Sequence, residues 1–172
     1  RKFLSYLSSH LDDNEIVLSV GETHLTATME EDTIISRTIS EIFPDYESVI
    51  PTDNNNKLIV DKKVLLGAIK RVSIFSNKST HQVAFNISKG QFFITTEDPE
   101  SSSKAKEEII GTYEGDDLII GYNGEYLKDV INHTTGDEVT IKLNTPISAT
   151  LFAGSNKNEN KIMLLMPVRI NS

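Results

Sequence analysis

Hydrophobic residues recur at helical spacing along Asp61–Asn77, the segment from which the rest of the chain is most easily understood. At roughly 100° per residue, Lys63 and Lys70 fall opposite the apolar face, and Lys62 and Arg71 lie on its flanks. The pattern predicts an amphipathic helix that packs on a sheet and exposes a row of cations. The apolar face consists of Val64, Leu65, Ala68, Ile69, Val72 and Phe75.

Two more segments have helical periodicity, Lys2–Leu11 and Gly124–His133. In Lys2–Leu11 the residues expected to face the core are Phe3, Leu4, Leu7 and Leu11. Short runs with alternating or continuous apolar positions separate the helices and predict strands. These strands are Ile16–Val20, Leu25–Met29, Thr33–Ile39, Lys57–Val60, Gln82–Ser88, Gln91–Thr96, Lys106–Tyr113, Leu118–Tyr122, Glu138–Asn144, Ser148–Ala153 and Ile162–Val168.

A unit of one helix and three strands therefore starts near residues 1, 61 and 123, which indicates internal duplication. One such unit leaves a sheet edge unpaired and a thin core, whereas two units close a domain with two helices on antiparallel sheets. We predict an α+β fold in which residues 51–172 form a complete domain. Residues 1–50 are expected to be the second half of another domain, in a fragment or processed product that begins at Arg1.

The formal net charge is −8, and residues 1–50 hold 3 Lys and Arg against 10 Asp and Glu. Any contact with nucleic acid must therefore come from a local basic patch. No run approaches the roughly 18 apolar residues of a membrane span, no signal segment opens the chain, and cysteine is absent. These features predict no membrane association, no disulfide or thiolate metal site, and a cytoplasmic location.

No catalytic constellation is apparent, so we predict neither an enzyme nor a cofactor or metal site. The four histidines fall in four different predicted elements, and the acidic pairs Asp12-Asp13, Asp116-Asp117 and Asp137-Glu138 each lie beside a predicted turn. Two alternatives stay open. One is a secreted or surface β-rich ligand-binding module, which sequons at Asn77, Asn86 and Asn132 would allow; the other is a hydrolase that uses Asp116 or Asp117.

Three stretches resemble the bacterial replicative sliding clamp, the beta subunit of DNA polymerase III. They are Phe43-Pro44-Asp45-Tyr46 with Val49 and Pro51, the run Ile120-Gly121-Tyr122-Asn123 with Tyr126, Leu127 and Val130, and the terminal Met166-Pro167-Val168-Arg169-Ile170. The resemblance covers the whole chain, as the end of the clamp's middle domain followed by its entire C-terminal domain.

The resemblance implies a DNA-clamp fold and a non-catalytic processivity factor. In that family two crescent subunits close into a homodimeric ring around duplex DNA, with helices lining the hole. A ring holds DNA by topology, so a few cations and no base-specific readout suffice. The expected DNA-binding residues are Arg1, Lys2, Lys63, Lys70, Arg71 and Lys128.

The resemblance also implies a groove in which polymerases, the clamp loader and repair proteins insert a short apolar peptide. The matching positions are Pro44, Val49, Asn123, Tyr126, Leu164, Met166, Pro167, Val168 and Arg169. The family's groove also uses a Gly-His-Arg segment that this chain lacks, so reduced or lost peptide binding is expected. Ile74 and Phe75 match the family's subunit interface, whose partner domain is missing here, and the fragment is not expected to close a ring.

Overall fold

The chain divides into two units, Arg1–Asp45 and Tyr46–Ser172, in a computed structural model that describes residues 2–9, 15–29, 32–156 and 161–170. The division falls a few residues before the predicted boundary at 50/51. Assignment of the two parts to a truncated middle domain and a complete C-terminal domain stays a prediction.

Within the described residues, the first unit has one helix and an antiparallel three-stranded sheet in the order β1-β2-β3. Among its described residues, Leu7, Ala27 and Met29 form a small buried cluster. Leu4, predicted to face the core, is instead 67% exposed, because the side of this short helix that carries Phe3 and Leu7 is the one that packs. Leu11 lies outside the described residues. The elements are α1 (Lys2–Ser8), β1 (Val17–Val20), β2 (His24–Thr28) and β3 (Thr33–Arg37).

Where the structure describes it, the second unit has two α-helices and two antiparallel sheets. Its described elements are a short 3-10 helix (Glu47–Val49), β4 (Asn56–Asp61), α2 (Lys62–Ser73), β5 (Gln82–Ser88), β6 (Gln91–Asp98), β7 (Ser103–Glu108), β8 (Gly111–Glu114), β9 (Leu118–Asn123), α3 (Gly124–Asn132), β10 (Glu138–Leu143), β11 (Thr150–Gly154) and β12 (Met163–Leu165). None of the helices in the described ranges is long and apolar enough to cross a membrane.

The two halves of the second unit exchange strands. One sheet has the order β12-β11-β10-β4-β8 and the other the order β7-β6-β5-β9. Strand β4 precedes α2 but pairs with β10, which follows α3; strand β9 precedes α3 but pairs with β5, which follows α2. The predicted duplication of a helix and three strands is confirmed. The exchange explains why one half alone leaves sheet edges unpaired.

The two helices begin in equivalent ways. Asp61 and Asn123 are N-caps whose side chains accept backbone N–H groups of the first turn. The first backbone amide of each helix donates to the other half of the unit. Lys62 N donates to Asp137 O, just before β10, and Gly124 N donates to His81 O, just before β5, both at 2.7 Å. The duplication therefore extends to individual hydrogen bonds, and α2 and α3 pack side by side.

The predicted strand Lys106–Tyr113 is wrong, because the chain there crosses from one sheet to the other. β7 ends the four-stranded sheet, Ile109 is buried at the corner, and β8 joins the five-stranded sheet beside β4. Gly111 permits the crossing, since a Cβ there would lie 3.0 Å from the carbonyl oxygen of Ile59. An extended segment that crosses from one sheet to the other resembles a single strand in its sequence.

The apolar face predicted for α2 is also too wide. Leu65, Ala68, Ile69 and Val72 are buried, but Val64 and Phe75 are 49% and 46% exposed. The last predicted strand is shorter than expected as well. Only Met163–Leu165 pairs with β11, and a single bridge from Val168 to Gly121 follows.

Aromatic side chains join the two sheets at the centre of the core. The rings of Phe85 and Tyr122 are 5.2 Å apart and those of Tyr122 and Phe152 are 6.3 Å apart, both edge to face. The Tyr122 hydroxyl lies 2.7 Å from Thr150 Oγ1 in the buried core. Burial raises the pKa of Tyr122 well above its usual range, so this hydroxyl stays neutral.

We expect Tyr122→Phe to lower the free energy of unfolding by about 1–3 kcal/mol, because the Thr150 hydroxyl is left buried without its partner. Tyr113→Phe is the matched control, since the Tyr113 hydroxyl donates to Asp116 O at an exposed site and should cost less than about 0.5 kcal/mol. Urea denaturation followed by circular dichroism measures both. Equal losses would contradict the assigned role of the buried pair.

Candidate functional site

Helix α2 turns two lysines to solvent with no internal partner among the described residues. The Asp61 carboxylate caps the helix by accepting Val64 N at 2.8 Å, and the buried side chains hold the opposite side on the sheets. Lys63 and Lys70 are exposed, and within the part of the chain described no carboxylate lies within 4.0 Å of either ammonium group. Both cations are therefore available to an external anion.

Arg71 lies next along α2 but holds an internal partner. Its Nε and Nη2 donate to the two carboxylate oxygens of Glu107 on β7, at 3.1 and 2.5 Å. The hydrogen bonds raise the pKa of the Arg71 guanidinium and lower that of the Glu107 carboxyl. Lys128 on α3 is similarly paired, with Nζ 2.6 Å from Glu125 Oε1. That contact lowers the pKa of Glu125.

Lys62 has a structural contact that the helical pattern alone did not indicate. Its Nζ donates to the carbonyl oxygens of Asn132 at 3.2 Å and Thr134 at 2.5 Å. These carbonyls lie at the C-terminal end of α3, where the helix leaves acceptors unpaired and favours a positive charge. Lys62 therefore ties the start of α2 to the end of α3.

The predicted DNA-binding residues thus separate into groups. Lys63, Lys70 and Arg71 share α2, and Lys128 lies on the neighbouring helix. Lys2 is exposed on α1 in the first unit, and Arg1 lies outside the described residues. Their role in DNA binding stays a prediction.

The C-terminal segment lies against β9. Val168 N donates to Gly121 O at 2.9 Å, and Gln82 Nε2 reaches the Arg169 carbonyl oxygen at 3.5 Å. A Cβ at Gly121 would lie 2.7 Å from Val168 O and 2.8 Å from Ile170 Cγ1. The absence of a side chain at this position is what lets the segment approach the sheet.

Three of the predicted groove residues lie at or beside β9. Asn123 ends this strand, Val168 hydrogen-bonds to it, and the Arg169 carbonyl oxygen contacts Gln82 on the neighbouring β5. The Asn123 amide is already engaged, because its oxygen caps α3 and its nitrogen donates to Thr80 O at 3.1 Å. Tyr126 and Met166 are 64% and 54% exposed, and Pro167 is half-buried.

Three other groove residues have different settings. Leu164 lies on the face of β12 opposite to Met163 and Leu165, and pairs across the strands with Leu151. Val49 is exposed on the short 3-10 helix, and Pro44 is exposed in the first unit. The groove as a whole stays a prediction.

Ile74 and Phe75, the predicted subunit interface, are 76% and 46% exposed at the end of α2. A polar cluster lies beside them that sequence reasoning missed. Buried Asp98 accepts hydrogen bonds from Ser101 Oγ at 2.6 Å and Asn77 Nδ2 at 3.1 Å, which lower its pKa. Ser103 Oγ donates to Phe75 O at 3.2 Å. The available signal was Asn77 with Ser79 and Thr80 two and three residues later, a pattern typical of a turn.

Paired helices closed by exchanged antiparallel strands define a DNA-clamp domain, a class also supported by comparison with known proteins. Residues 47–169 match the family described as DNA polymerase III beta subunit, C-terminal domain. The chain belongs to this family of replicative sliding clamps.

Similar relatives include two proteins described as beta sliding clamps. That of Pseudomonas putida KT2440 is 33% identical over 172 residues, and that of Escherichia coli K12 is 28% identical over the same length. Each alignment covers 99% of this chain but only 46% of the relative, so the chain spans about half the length of these relatives.

Solved structures show the same fold. The DnaN sliding clamp of Bartonella birtlesii, in a structure bound to griselimycin, superposes with a TM-score of 0.84 at 30% identity, covering 97% of this chain and 44% of that one. The sliding clamp of Pseudomonas aeruginosa gives 0.84 at 30% identity, with 98% and 46% covered. The predicted α+β clamp fold is thereby confirmed.

We expect Lys62→Met to lower the free energy of unfolding by about 1 kcal/mol, because two acceptors at the end of α3 lose their donor. The neighbouring Lys63→Met should change it by less than about 0.5 kcal/mol, since that ammonium is exposed. Urea denaturation of the two variants makes the comparison. A larger loss for Lys63→Met would refute this division of roles.

We expect Gly121→Ala to release the C-terminal segment, because its Cβ would collide with Val168 O. Hydrogen exchange at the Val168 amide should accelerate at least about tenfold, while amides in β5 and β6 keep their protection. Gly21→Ala in the first unit is the control, since its Cβ meets only His24 O at 3.2 Å. Unchanged exchange at Val168 would show that the segment is not held there.

Proposed function

We propose that this polypeptide acts as a DNA polymerase processivity factor, a ring-shaped sliding clamp that encircles duplex DNA and tethers the replicative polymerase and other partners. Membership of the beta-subunit family over residues 47–169 is the observation that carries the proposal. The role is non-catalytic and cytoplasmic, and the ring is a homodimer of the full-length polypeptide.

DNA contact is assigned to the cationic side of the helices. Lys63 and Lys70 are exposed and unpaired among the described residues, so each can neutralise a phosphate directly. Each such contact makes the negative slope of log affinity against log salt steeper by about 0.9. Lys2 and Arg1 belong to the same predicted set. Arg71 and Lys128 lie on the two helices as well, but each is paired with a carboxylate of the protein. A small number of phosphate contacts suits a protein that must move along DNA of any sequence.

Partner binding is assigned to a groove along the C-terminal segment. Met166 and Tyr126 offer exposed apolar surface, and the backbone of Val168 fixes the segment against β9. A thioether adapts to varied apolar side chains, which suits a surface that receives several different peptides. The expected partners are polymerase and clamp-loader subunits that carry a short apolar motif.

Subunit contact is assigned to Ile74 and Phe75. Both are exposed apolar residues at the end of a helix, where solvation is unfavourable unless another surface covers them. Hydrogen bonds from Ser103 and within the Asp98 cluster hold the adjoining loops. The partner surface belongs to another subunit of the ring.

A labelled peptide of the type Gln-Leu-x-Leu-Phe tests the groove in the full-length polypeptide. Saturable binding should weaken at least about tenfold in Met166→Ala, while Ile162→Ala, another exposed apolar residue of the same segment, binds as the unaltered protein does. Fluorescence anisotropy gives both affinities. Binding that is indifferent to Met166→Ala would rule out this groove.

A second arm tests the DNA face. Lys63→Glu with Lys70→Glu should shorten retention on closed circular DNA while peptide affinity stays unchanged, because only the helix face is altered. Lys89→Glu with Lys142→Glu makes the same charge change at exposed residues outside the helices and serves as the control. Equal losses in the two double variants would show that net charge, rather than the α2 face, governs retention.

A further inference from the structure

The contact between Arg71 and Glu107 removes one cation from the face assigned to DNA. The guanidinium makes two parallel charge-assisted hydrogen bonds to the carboxylate, a geometry that a phosphate would have to displace in full. Glu107 lies on β7 opposite Ile94, which places its side chain on the inner, helix-facing side of the sheet. The pair therefore bridges α2 and the sheet.

Arg71 differs from Lys63 and Lys70 on α2 because a carboxylate of the protein pairs with it. Lys63 and Lys70 face solvent without an ion pair among the described residues, whereas Arg71 has a fixed partner although its side chain is 62% exposed. Its exposure means that the guanidinium can reach an external phosphate once the carboxylate is removed. Lys128 is paired too, but its side chain is only 21% exposed.

We propose that Glu107 is an internal counter-ion that keeps Arg71 from the DNA phosphates and so limits how tightly the helix face grips duplex DNA. This inference rests on the proposed function, since it concerns the same DNA-facing helix. A cation already neutralised by a protein carboxylate releases no counter-ion from DNA and adds nothing to the salt dependence of binding. Arg71 thus binds phosphate only when Glu107 is removed. Glu107 thereby limits the number of helix cations that bind DNA phosphates.

Such a restraint has a physical purpose in a protein held by topology. Every additional phosphate contact must be broken and remade as the protein moves along the duplex, so a tighter grip slows sliding. A carboxylate fixed on the sheet is always present at Arg71, whereas any one phosphate is transient. The Arg71 guanidinium therefore returns to Glu107 between encounters with DNA phosphates.

The test is equilibrium binding of the full-length polypeptide to a short labelled duplex at several NaCl concentrations. Glu107→Gln should make the negative slope of log affinity against log salt steeper by about 0.9 per subunit, because one more phosphate is neutralised. Arg71→Ala alone should leave the slope as it is. The double variant Arg71→Ala with Glu107→Gln should return the slope to the unaltered value.

Glu97→Gln is the matched control. It makes the same charge change and breaks an exposed ion pair, to Lys104 at 2.7 Å, on the strand next to β7. Its slope should not change. Circular dichroism of every variant confirms that the fold is kept, and the Arg71→Ala arm stands independently if Glu107→Gln does not fold.

Two results would overturn the inference while leaving the proposed function intact. One is an equally steeper salt dependence for Glu107→Gln and Glu97→Gln, which would be a general charge effect. The other is a salt dependence that becomes as much shallower for Arg71→Ala as for Lys63→Ala, which would mean that Arg71 already contacts phosphate. If Lys63→Ala and Lys70→Ala also leave the slope unchanged, α2 does not contact DNA. The assignment of DNA contact to this helix and the role of Glu107 then both fail.

Discussion

The exchange of strands between the two halves of the second unit is the constraint on which its other features depend. β4 and β9 each precede one helix and pair with the strand that follows the other helix. Neither sheet can be completed by one half, so the core forms only when both halves are present. The buried contact between Tyr122 and Thr150 connects the sheets within that shared core.

The exchange also fixes the surfaces to which function is assigned. It brings the amide of Lys62 to Asp137 and that of Gly124 to His81, which sets the start of both helices and hence the side that each turns to solvent. β9 then offers its outer edge to the C-terminal segment through Gly121. The equivalent edge in the other half, on β4, is taken by β8. The edge of β4 is therefore covered by a regular strand, whereas the edge of β9 is covered by a segment that carries the exposed Met166.

Much of this architecture could be predicted from the sequence, because periodicity reports which side of an element is buried. The two main helices, most strands and the duplication follow from spacing alone. Periodicity does not report where the covering surface ends, so Val64 and Phe75 were wrongly placed in the buried face. It also does not distinguish a strand from an apolar corner, which is why the crossing at Ile109 was missed.

The partners of the helix cations could not be predicted for a different reason. Glu107 is 36 residues from Arg71, and Asn132 is 70 residues from Lys62, so both contacts depend on the tertiary arrangement. From sequence, Lys62, Lys63, Lys70 and Arg71 form one basic row. In the fold, Lys62 closes a helix end, Arg71 is paired with a carboxylate, and Lys63 and Lys70 face solvent.

In the function we propose, the full-length polypeptide holds DNA by enclosing it rather than by affinity. The direct measurement is its dissociation from closed circular DNA and from the same DNA after a single cut, at a salt concentration that screens the helix cations. Enclosure predicts long retention on the circle and rapid loss from the cut molecule through its ends. Equal dissociation from both forms would contradict it.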